Sequence, residues 1–224
     1  TVRGQQKISD TVGGFGGVLD DGDAFGSAAT AIGDVDGDGV VDIAVGAPND
    51  DDGGSNRGAV YVLFMNVDGT VRGQQKISDS VGGFGGVLND SDYFGYSASG
   101  VGDVDGDGVA DLAVSAYNDG DGGSIRGAVY VVFLNADGTV KAEQKISSTQ
   151  GGLTGPLEPV DYFGWSVSGL GDIDGDGVAD MAVGAIGDDD GGTDRGAVYV
   201  VFLNTDGTVR AEQKINDIVG GFNG

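Results

Sequence analysis

The sequence predicts an all-β protein made of β-propeller blades, each a sheet of four antiparallel strands. Three features indicate this fold: a 69-residue repeat, four short strand-forming segments in each repeat, and turn residues concentrated between them. Four-stranded sheets that recur at a fixed period are typical of propellers. The main alternative is a β-solenoid, whose repeats are normally much shorter. No stretch has a sustained helical period, and the density of glycine and aspartate opposes helices.

The repeat runs through the chain without insertion or deletion. Equivalent residues lie 69 positions apart, as do Asp34, Asp103 and Asp172, and residues 208–224 closely match residues 1–17. We therefore expect one module in several copies. Its predicted divisions are residues 1–24, an outer strand of a preceding blade with its connection; 25–93, the first blade; 94–162, the second blade; and 163–224, the third blade with the start of the next connection.

The four predicted strands of the first repeat change in character from the centre of a blade to its edge. Residues 25–32 carry mostly small side chains, which suit an innermost strand where blades crowd together. Residues 42–47 (DIAVGA) follow an acidic loop directly. Residues 58–64 (GAVYVLF) are the most hydrophobic and are rich in β-forming residues. Residues 70–77 (TVRGQQKI) alternate in polarity, as expected of an outer strand that faces water.

The connections and the count of strands carry further predictions. Asp68-Gly69 predicts a hairpin between the third and fourth strands. Residues 1–8 and 208–215 both have the pattern of a fourth strand, so the chain holds a surplus outer strand. This surplus favours a longer array of blades, or else head-to-tail self-association, most simply two chains in a six-bladed ring. Thr1 follows no signal peptide and no initiator methionine, so we expect a processed chain or part of a longer one.

The composition argues against several functions. The chain has 36 acidic and 11 basic residues and a formal net charge of −25, which disfavours nucleic acid and anionic membrane surfaces as partners. The longest apolar run, residues 128–134, is far shorter than the roughly 20 residues that span a bilayer. Histidine and cysteine are both absent, so there is no disulfide and no Ser-His or Cys-His nucleophile. We therefore expect no nucleic-acid binding, no membrane insertion and no enzymatic activity.

An acidic loop, GDVDGDGVVD at residues 33–42, recurs in all three repeats. Its carboxylates repel one another, and an enclosed cation would relieve that repulsion. Aspartates at loop positions one, three, five and nine, with the carbonyl of position seven, offer an oxygen set that fits Ca²⁺ better than Mg²⁺ or zinc. A solvated turn without metal is the alternative. We predict three Ca²⁺ sites, one per repeat: Asp34, Asp36, Asp38, Val40 and Asp42; Asp103, Asp105, Asp107, Val109 and Asp111; Asp172, Asp174, Asp176, Val178 and Asp180.

The surroundings of this loop resemble a known family. The loop is not a complete EF-hand, because its twelfth position is valine and strands flank it. Phe25-Gly26, the aspartate loop and Gly46-Ala47-Pro48 together resemble the FG-GAP repeat of integrin alpha-subunit propellers and related bacterial surface proteins. The resemblance covers essentially the whole chain, although the last motif reads Ser115-Ala116-Tyr117 and Gly184-Ala185-Ile186 in the later repeats. It implies a seven-bladed or similar propeller, calcium between the first two strands, and extracellular or cell-surface adhesion or recognition.

Other charged residues have simpler interpretations. We expect the acidic loops at residues 50–52, 119–121 and 188–190 to be solvated, with a second cation site as the alternative. The acidic residues before each first strand are interpreted in the same way: Asp20, Asp21 and Asp23; Asp90 and Asp92; Glu158 and Asp161. Three recurring arginines should pair with neighbouring aspartates, with ligand binding as the alternative: Arg57, Arg126 and Arg195.

The residue after each Phe-Gly pair varies, from Ser27 to Tyr96 to Trp165. The two aromatic side chains could stack on a sugar, but packing between blades is the interpretation we favour. The sequence therefore predicts an extracellular, non-catalytic structural or adhesive module, with neighbouring repeats, surface glycans or proteins as possible partners. A carbohydrate-binding propeller of the lectin type is the second hypothesis, and a polysaccharide-active enzyme is the third.

Overall fold

The computed structural model describes residues 4–221, which form three sheets of four antiparallel strands. The first sheet contains β1 (Ala29–Gly33), β2 (Asp42–Ala47), β3 (Ala59–Met65) and β4 (Val71–Ser78). The second contains β5 (Ala98–Gly102), β6 (Asp111–Ala116), β7 (Ala128–Leu134) and β8 (Val140–Ile146). The third contains β9 (Phe163–Gly171), β10 (Asp180–Ala185), β11 (Ala197–Leu203) and β12 (Val209–Ile215). The strands of each sheet lie in chain order, which confirms the prediction of four-stranded antiparallel blades.

The strand boundaries differ from the predicted ones mainly at the first strand. The second strand lies where the sequence places it, and the third and fourth are shifted by one residue. β1 begins at Ala29, four residues later than predicted, and β5 begins at the equivalent Ala98, whereas β9 begins at Phe163, the counterpart of the predicted first residue. Before β1 the chain passes through Ala24 and Gly26, whose φ angles are positive, at 59° and 98°. The chain turns tightly there instead of extending. The turn stays attached to the sheet, since Gly26 N–H donates to the carbonyl of Gly46 at 2.9 Å.

The first strands of neighbouring sheets pack against each other, β1 on β5 and β5 on β9. A Cβ atom on Gly100 would lie 2.7 Å from the carbonyl oxygen of Ala31, and one on Gly169 would lie 2.3 Å from that of Gly100. At these distances only glycine fits, because any side chain would collide with the neighbouring backbone. The small residues of the first strands therefore allow the blades to crowd together, as the sequence predicts.

β7 and β11 have the same sequence, AVYVVFL, but different surroundings. All of β7 is buried, whereas Val198 of β11 is 44% exposed and Val200 and Phe202 are partly exposed. The third repeat covers β7 in part through Gly207, where a Cβ atom would lie 3.0 Å from the ring of Phe133. Within residues 4–221 nothing takes the equivalent place on β11. We call the surface formed by Val198, Val200 and Phe202 the bare face.

The outer strand predicted at residues 1–8 does not form over residues 4–8, and its first three residues lie outside the described part of the chain. Gln6 nevertheless lies where such a strand would run. A Cβ atom on Gly69 would be 3.5 Å from Gln6. In the same way, Gly138 of the second repeat lies against Gln75 of the first, which is the equivalent of Gln6. The strand prediction was wrong here because, among the described residues, no third strand lies beside this segment to bond with it.

The described residues form no helix. No helix of membrane-spanning length and apolarity therefore lies between residues 4 and 221.

Candidate metal centre

The acidic loop of each repeat connects the first strand of a sheet to the second, and its leading aspartate folds it back on itself. The carboxylate of Asp34 accepts the N–H of Asp38 at 2.9 Å and that of Gly39 at 2.8 Å. The same two bonds recur in the other two loops. Gly37 and Gly39 have φ angles of 77° and 89°, which glycine adopts without steric cost. The loop therefore wraps tightly around its carboxylates.

The ninth loop position anchors the loop to the sheet. Asp42 is fully buried, and its two oxygens accept the N–H groups of Val35 and Met65, each at 3.0 Å. Asp111 and Asp180 make the equivalent pairs of bonds. Burial disfavours the charged form and raises the pKa of Asp111 to about 7. Sequence reasoning did not find this anchoring role, because the second bond comes from the far end of the third strand.

Three of the four aspartates of each loop converge. One carboxylate oxygen from each member lies within 4.8 Å of the others in three sets: Asp34, Asp36 and Asp42; Asp103, Asp105 and Asp111; Asp172, Asp174 and Asp180. Asp38 stands outside its set, since one oxygen accepts the N–H of Val40 at 2.8 Å and the other lies 2.8 Å from Arg72. The structure thus brings together loop positions one, three and nine, while positions five and seven lie outside the set, and metal ligation by all five positions stays a prediction.

One oxygen in the first set lacks a hydrogen-bond partner. Asp36 Oδ1 is buried and bonds to nothing in the described part of the chain, while its Oδ2 contacts Arg72. A buried carboxylate oxygen without a partner is costly, and a cation held among the three aspartates would satisfy it. A donor set made only of oxygen atoms suits a hard cation such as Ca²⁺. The residues present therefore fit the metal that the sequence predicts.

A basic side chain from the outer strand of the same sheet contacts each loop. Lys141 Nζ lies 2.6 Å from a carboxylate oxygen of Asp105 and 2.6 Å from one of Asp107. Arg72 and Arg210 occupy the equivalent positions and contact the equivalent aspartate pairs. Sequence reasoning missed these three residues, although their recurrence every 69 positions on the most polar strand was a usable signal.

The Phe-Gly and Gly-Ala motifs of neighbouring repeats meet at the other end of the first two strands, away from these loops. The backbone of Gly95, from the second repeat, lies directly against Gly46 of the first. In the second repeat Ser115 replaces the motif glycine, and its hydroxyl accepts the N–H of Ser97 at 2.9 Å. This substitution therefore leaves the motif contact intact and adds a hydrogen bond.

The comparison with protein families follows the same motifs. Residues 25–63 and 94–132 match the FG-GAP repeat, and residues 158–202 match a second profile of the same description. The chain belongs to the FG-GAP repeat family. The three matches together cover more than half of its length, and they confirm the resemblance drawn from the Phe-Gly pair, the aspartate loop and the Gly-Ala-Pro motif.

Integrin alpha chains are among the relatives of these FG-GAP repeats. Integrin alpha-PS2 of Drosophila melanogaster is 34% identical over 175 residues, which are 75% of this chain and 12% of that protein. Integrin alpha-4 of Xenopus laevis is 33% identical over 169 residues, 73% of this chain and 14% of that protein. Integrin alpha-11 of Homo sapiens is 34% identical over 172 residues, 74% and 13% respectively. The chain thus spans only 12–14% of the length of these relatives.

In each of the three FG-GAP repeats of this chain, the acidic loop between the second and third strands holds a lysine side chain. The first aspartate of each loop is buried, so the prediction that these loops are solvated is wrong for that residue. Asp50 is 2% exposed, and together with Asp52 it holds Lys76 Nζ at 2.6 and 2.7 Å. The ammonium group also lies 5.7 Å from the ring centroid of Tyr61. The later repeats repeat this arrangement around Lys145 and Lys214, with the buried carboxylates of Asp119 and Asp188.

The last acidic residue before each first strand is buried, contrary to expectation, whereas the others are exposed as predicted: Asp20, Asp21, Asp90 and Glu158. Asp92 is 2% exposed and accepts the N–H of Asn89 at 2.7 Å, which closes a tight turn. Asp23 and Asp161 do the same in the other repeats. Burial raises the pKa of Asp92 to about 6. Sequence alone could not separate these carboxylates from their solvated neighbours, because burial depends on the blade that packs over the turn.

Two of the three recurring arginines pair with aspartates, as predicted. Arg57 lies 2.6 Å from Asp79, and Arg195 contacts Asp217. In the described residues Arg126 forms no ion pair and donates instead to the carbonyl of Leu157. Ser148 stands where the other two repeats have the partner aspartate, which explains the difference.

The aromatic residues after the Phe-Gly pairs pack between blades, which is the interpretation that we favoured over stacking on a sugar. The ring of Trp165, from the third repeat, lies 5.0 Å from Tyr96 and 5.0 Å from Tyr117, both from the second. All three side chains are partly buried. This cluster belongs to one junction alone, since Ser27 occupies the position in the first repeat.

Proposed function

We propose that the chain is a calcium-binding, non-catalytic FG-GAP module with a structural or adhesive role at the cell surface or outside the cell. The observation that carries the proposal is the threefold recurrence of one acidic loop, in which carboxylates at positions one, three and nine converge within 4.8 Å. The buried oxygen of Asp36 that has no hydrogen-bond partner within residues 4–221 supports it. The similarity to integrin alpha chains supports the surface setting and the adhesive role.

Calcium would act here as a structural ion. Sites in extracellular modules bind calcium at about 0.1–1 mM. At roughly tenfold excess over that constant, each site would add about 1.4 kcal/mol, and three sites about 4 kcal/mol, to the free energy of unfolding. That is comparable with the whole stability of a marginal domain. The role of the ion is to neutralise the loop and fix the connection between the first two strands.

Thermal melting with and without calcium tests this function. We expect EDTA to lower the melting temperature clearly, and excess calcium to restore it. Asp36→Asn should remove much of the calcium response of its loop, whereas Asp68→Asn, at the exposed hairpin turn between β3 and β4, should leave that response unchanged. An identical melting curve in EDTA and in calcium would contradict the calcium assignment.

We also propose that the module works next to further blades of the same kind. β7 and β11 have identical sequences, and the third repeat covers β7, so the same type of blade fits the bare face of β11. At the other end, Gln6 lies against Gly69 of the first repeat, as Gln75 lies against Gly138 of the second. Both ends therefore have surfaces suited to neighbouring repeats, in a longer array or in a second copy of the chain.

A further inference from the structure

We propose that Arg72, Lys141 and Arg210 are built-in counter-ions of the three acidic loops, which weaken calcium binding and stabilise the loops when calcium is absent. The inference rests on the proposed calcium function. It concerns a second cation in each loop, one that the chain itself supplies from the outer strand of the same sheet.

The contacts place the basic group on the same aspartates that the ion would use. Lys141 Nζ lies 2.6 Å from Oδ2 of both Asp105 and Asp107. In the first loop Arg72 contacts Oδ2 of Asp36 and lies 2.8 Å from Oδ2 of Asp38, and Asp36 Oδ1 is buried without a partner among the described residues. In this loop Arg72 thus takes Oδ2 of Asp36 and leaves Oδ1 for the ion.

The position of the basic group is fixed by packing as well as by charge. The guanidinium of Arg72 lies 6.0 Å from the ring centroid of Phe64, and that of Arg210 lies 5.9 Å from that of Phe202. These rings belong to the third strand, beside the outer strand that carries the basic residue. The side chain therefore reaches the loop across its own sheet, and its charge stays close to the aspartates.

At this position of the outer strand the three repeats share a positive charge, but they do not share one side-chain shape. The position holds arginine in the first and third repeats and lysine in the second, and an ammonium group cannot reproduce the planar fork of a guanidinium. Four residues further along the same strand, Lys76 contacts the other acidic loop of its sheet. The outer strand thus supplies one positive charge to each of the two loops.

A fixed positive charge has opposite effects on the two states of the loop. Without calcium, four carboxylates repel one another, and the basic group offsets part of that repulsion. With calcium bound, the same group lies within a few ångströms of a divalent cation and repels it. Because these side chains are 40–44% exposed, solvent screens both effects and keeps them moderate. The basic residue therefore lowers the affinity for calcium and makes the fold less dependent on it.

Calorimetric titration with calcium and melting in EDTA together test the inference. In Arg72→Gln we expect one of the three sites to bind calcium about three to ten times more tightly, while the other two sites serve as internal references. Its melting temperature in EDTA should fall, and the increase on adding calcium should grow. Arg72→Lys should behave like the unmodified chain, because it keeps the charge.

A neighbouring variant separates the effect from general destabilisation. Lys76→Gln lies on the same strand and should lower the melting temperature equally in EDTA and in calcium, without changing the affinity. If the unmodified chain binds calcium and Arg72→Gln binds it no more tightly, the inference is wrong and the proposed function stands. If the unmodified chain binds no calcium, both fail. Lys141→Gln tests the same expectation in the second loop should Arg72→Gln not fold.

Discussion

The carbonyl oxygen of Gly95 lies 1.9 Å from the point that a Cβ atom on Gly46 would occupy. Gly46 begins the Gly-Ala-Pro motif of the first repeat, and Gly95 ends the Phe-Gly pair of the second. The two halves of the family motif, taken from neighbouring repeats, thus form one backbone contact between blades. A side chain on Gly46 would collide with the backbone of Gly95 at this junction, whereas the junction between the second and third repeats holds Ser115 at the equivalent position.

Replacing Gly46 by alanine should therefore separate the first two blades. We expect Gly46→Ala to lower the free energy of unfolding by about 1–3 kcal/mol, as other overpacked core substitutions do. Gly4→Ala is the control, because a Cβ atom there meets nothing within 4 Å among residues 4–221. Chemical denaturation measures both. Equal stability of the two variants would show that the contact yields easily.

The two kinds of loop aspartate should respond differently to loss of charge. Asp42→Asn replaces an oxygen that accepts a backbone N–H with an amide group that cannot, so we expect a loss of about 1–3 kcal/mol even in EDTA. Asp38→Asn affects a partly exposed side chain and should cost less than about 1 kcal/mol in EDTA. In calcium it should cost more, if position five is a ligand. Melting in both conditions decides whether Asp38 takes part in binding.

Asp92 should make the stability of the fold depend on pH. Its pKa rises from 3.8 to about 6 on burial, so between these values the folded chain binds more protons than the unfolded chain. The free energy of unfolding therefore falls as pH rises from about 4 to 6, by up to about 3 kcal/mol from this group. Asp92→Asn should be more stable than the unmodified chain at pH 7.5 and equally stable near pH 4.

The control for this pH effect is Asp21→Asn, at an exposed position in the corresponding segment of the first repeat. We expect it to change stability little at either pH. Urea denaturation across the range, at constant calcium, measures the difference. A constant gap between Asp92→Asn and the unmodified chain at all pH values would show that ionisation of Asp92 is not the cause.

The bare face should promote association of the 224-residue chain. Val198 is 44% exposed, whereas its equivalents Val60 and Val129 are fully buried between sheets. We expect light scattering to detect dimers or larger species, and Val198→Glu to weaken association at least tenfold, because it places a charge in an apolar interface. Val67→Glu, at a turn where the residue is 92% exposed, should have no effect. A calcium-saturated chain that stays monomeric at every concentration would contradict the proposal.

The features that the sequence predicts correctly are local ones. The position of β2, the three acidic loops and the order of strands within a blade depend on residues close together in the chain and on their recurrence every 69 positions. The Phe-Gly pair and the Gly-Ala-Pro motif were enough to identify the family. The strands, the acidic loop and the Phe-Gly pair each occur three times, although Gly-Ala-Pro is complete only in the first repeat. A pattern that would be weak in one copy becomes reliable in three.

Burial and long-range pairing were decided by the tertiary structure alone. Lys76 meets Asp50 across 26 residues, Arg72 meets Asp36 across 36, and neither pair has a local signal that names the partner. The identical strands β7 and β11 differ only in what covers them. The sequence by itself determined the blade, its loops and its period, because those depend on local conformation. The charge partners depend on how the outer strand lies beside the loops of its own sheet, and the bare face depends on how neighbouring sheets pack. Only the three-dimensional arrangement could decide them.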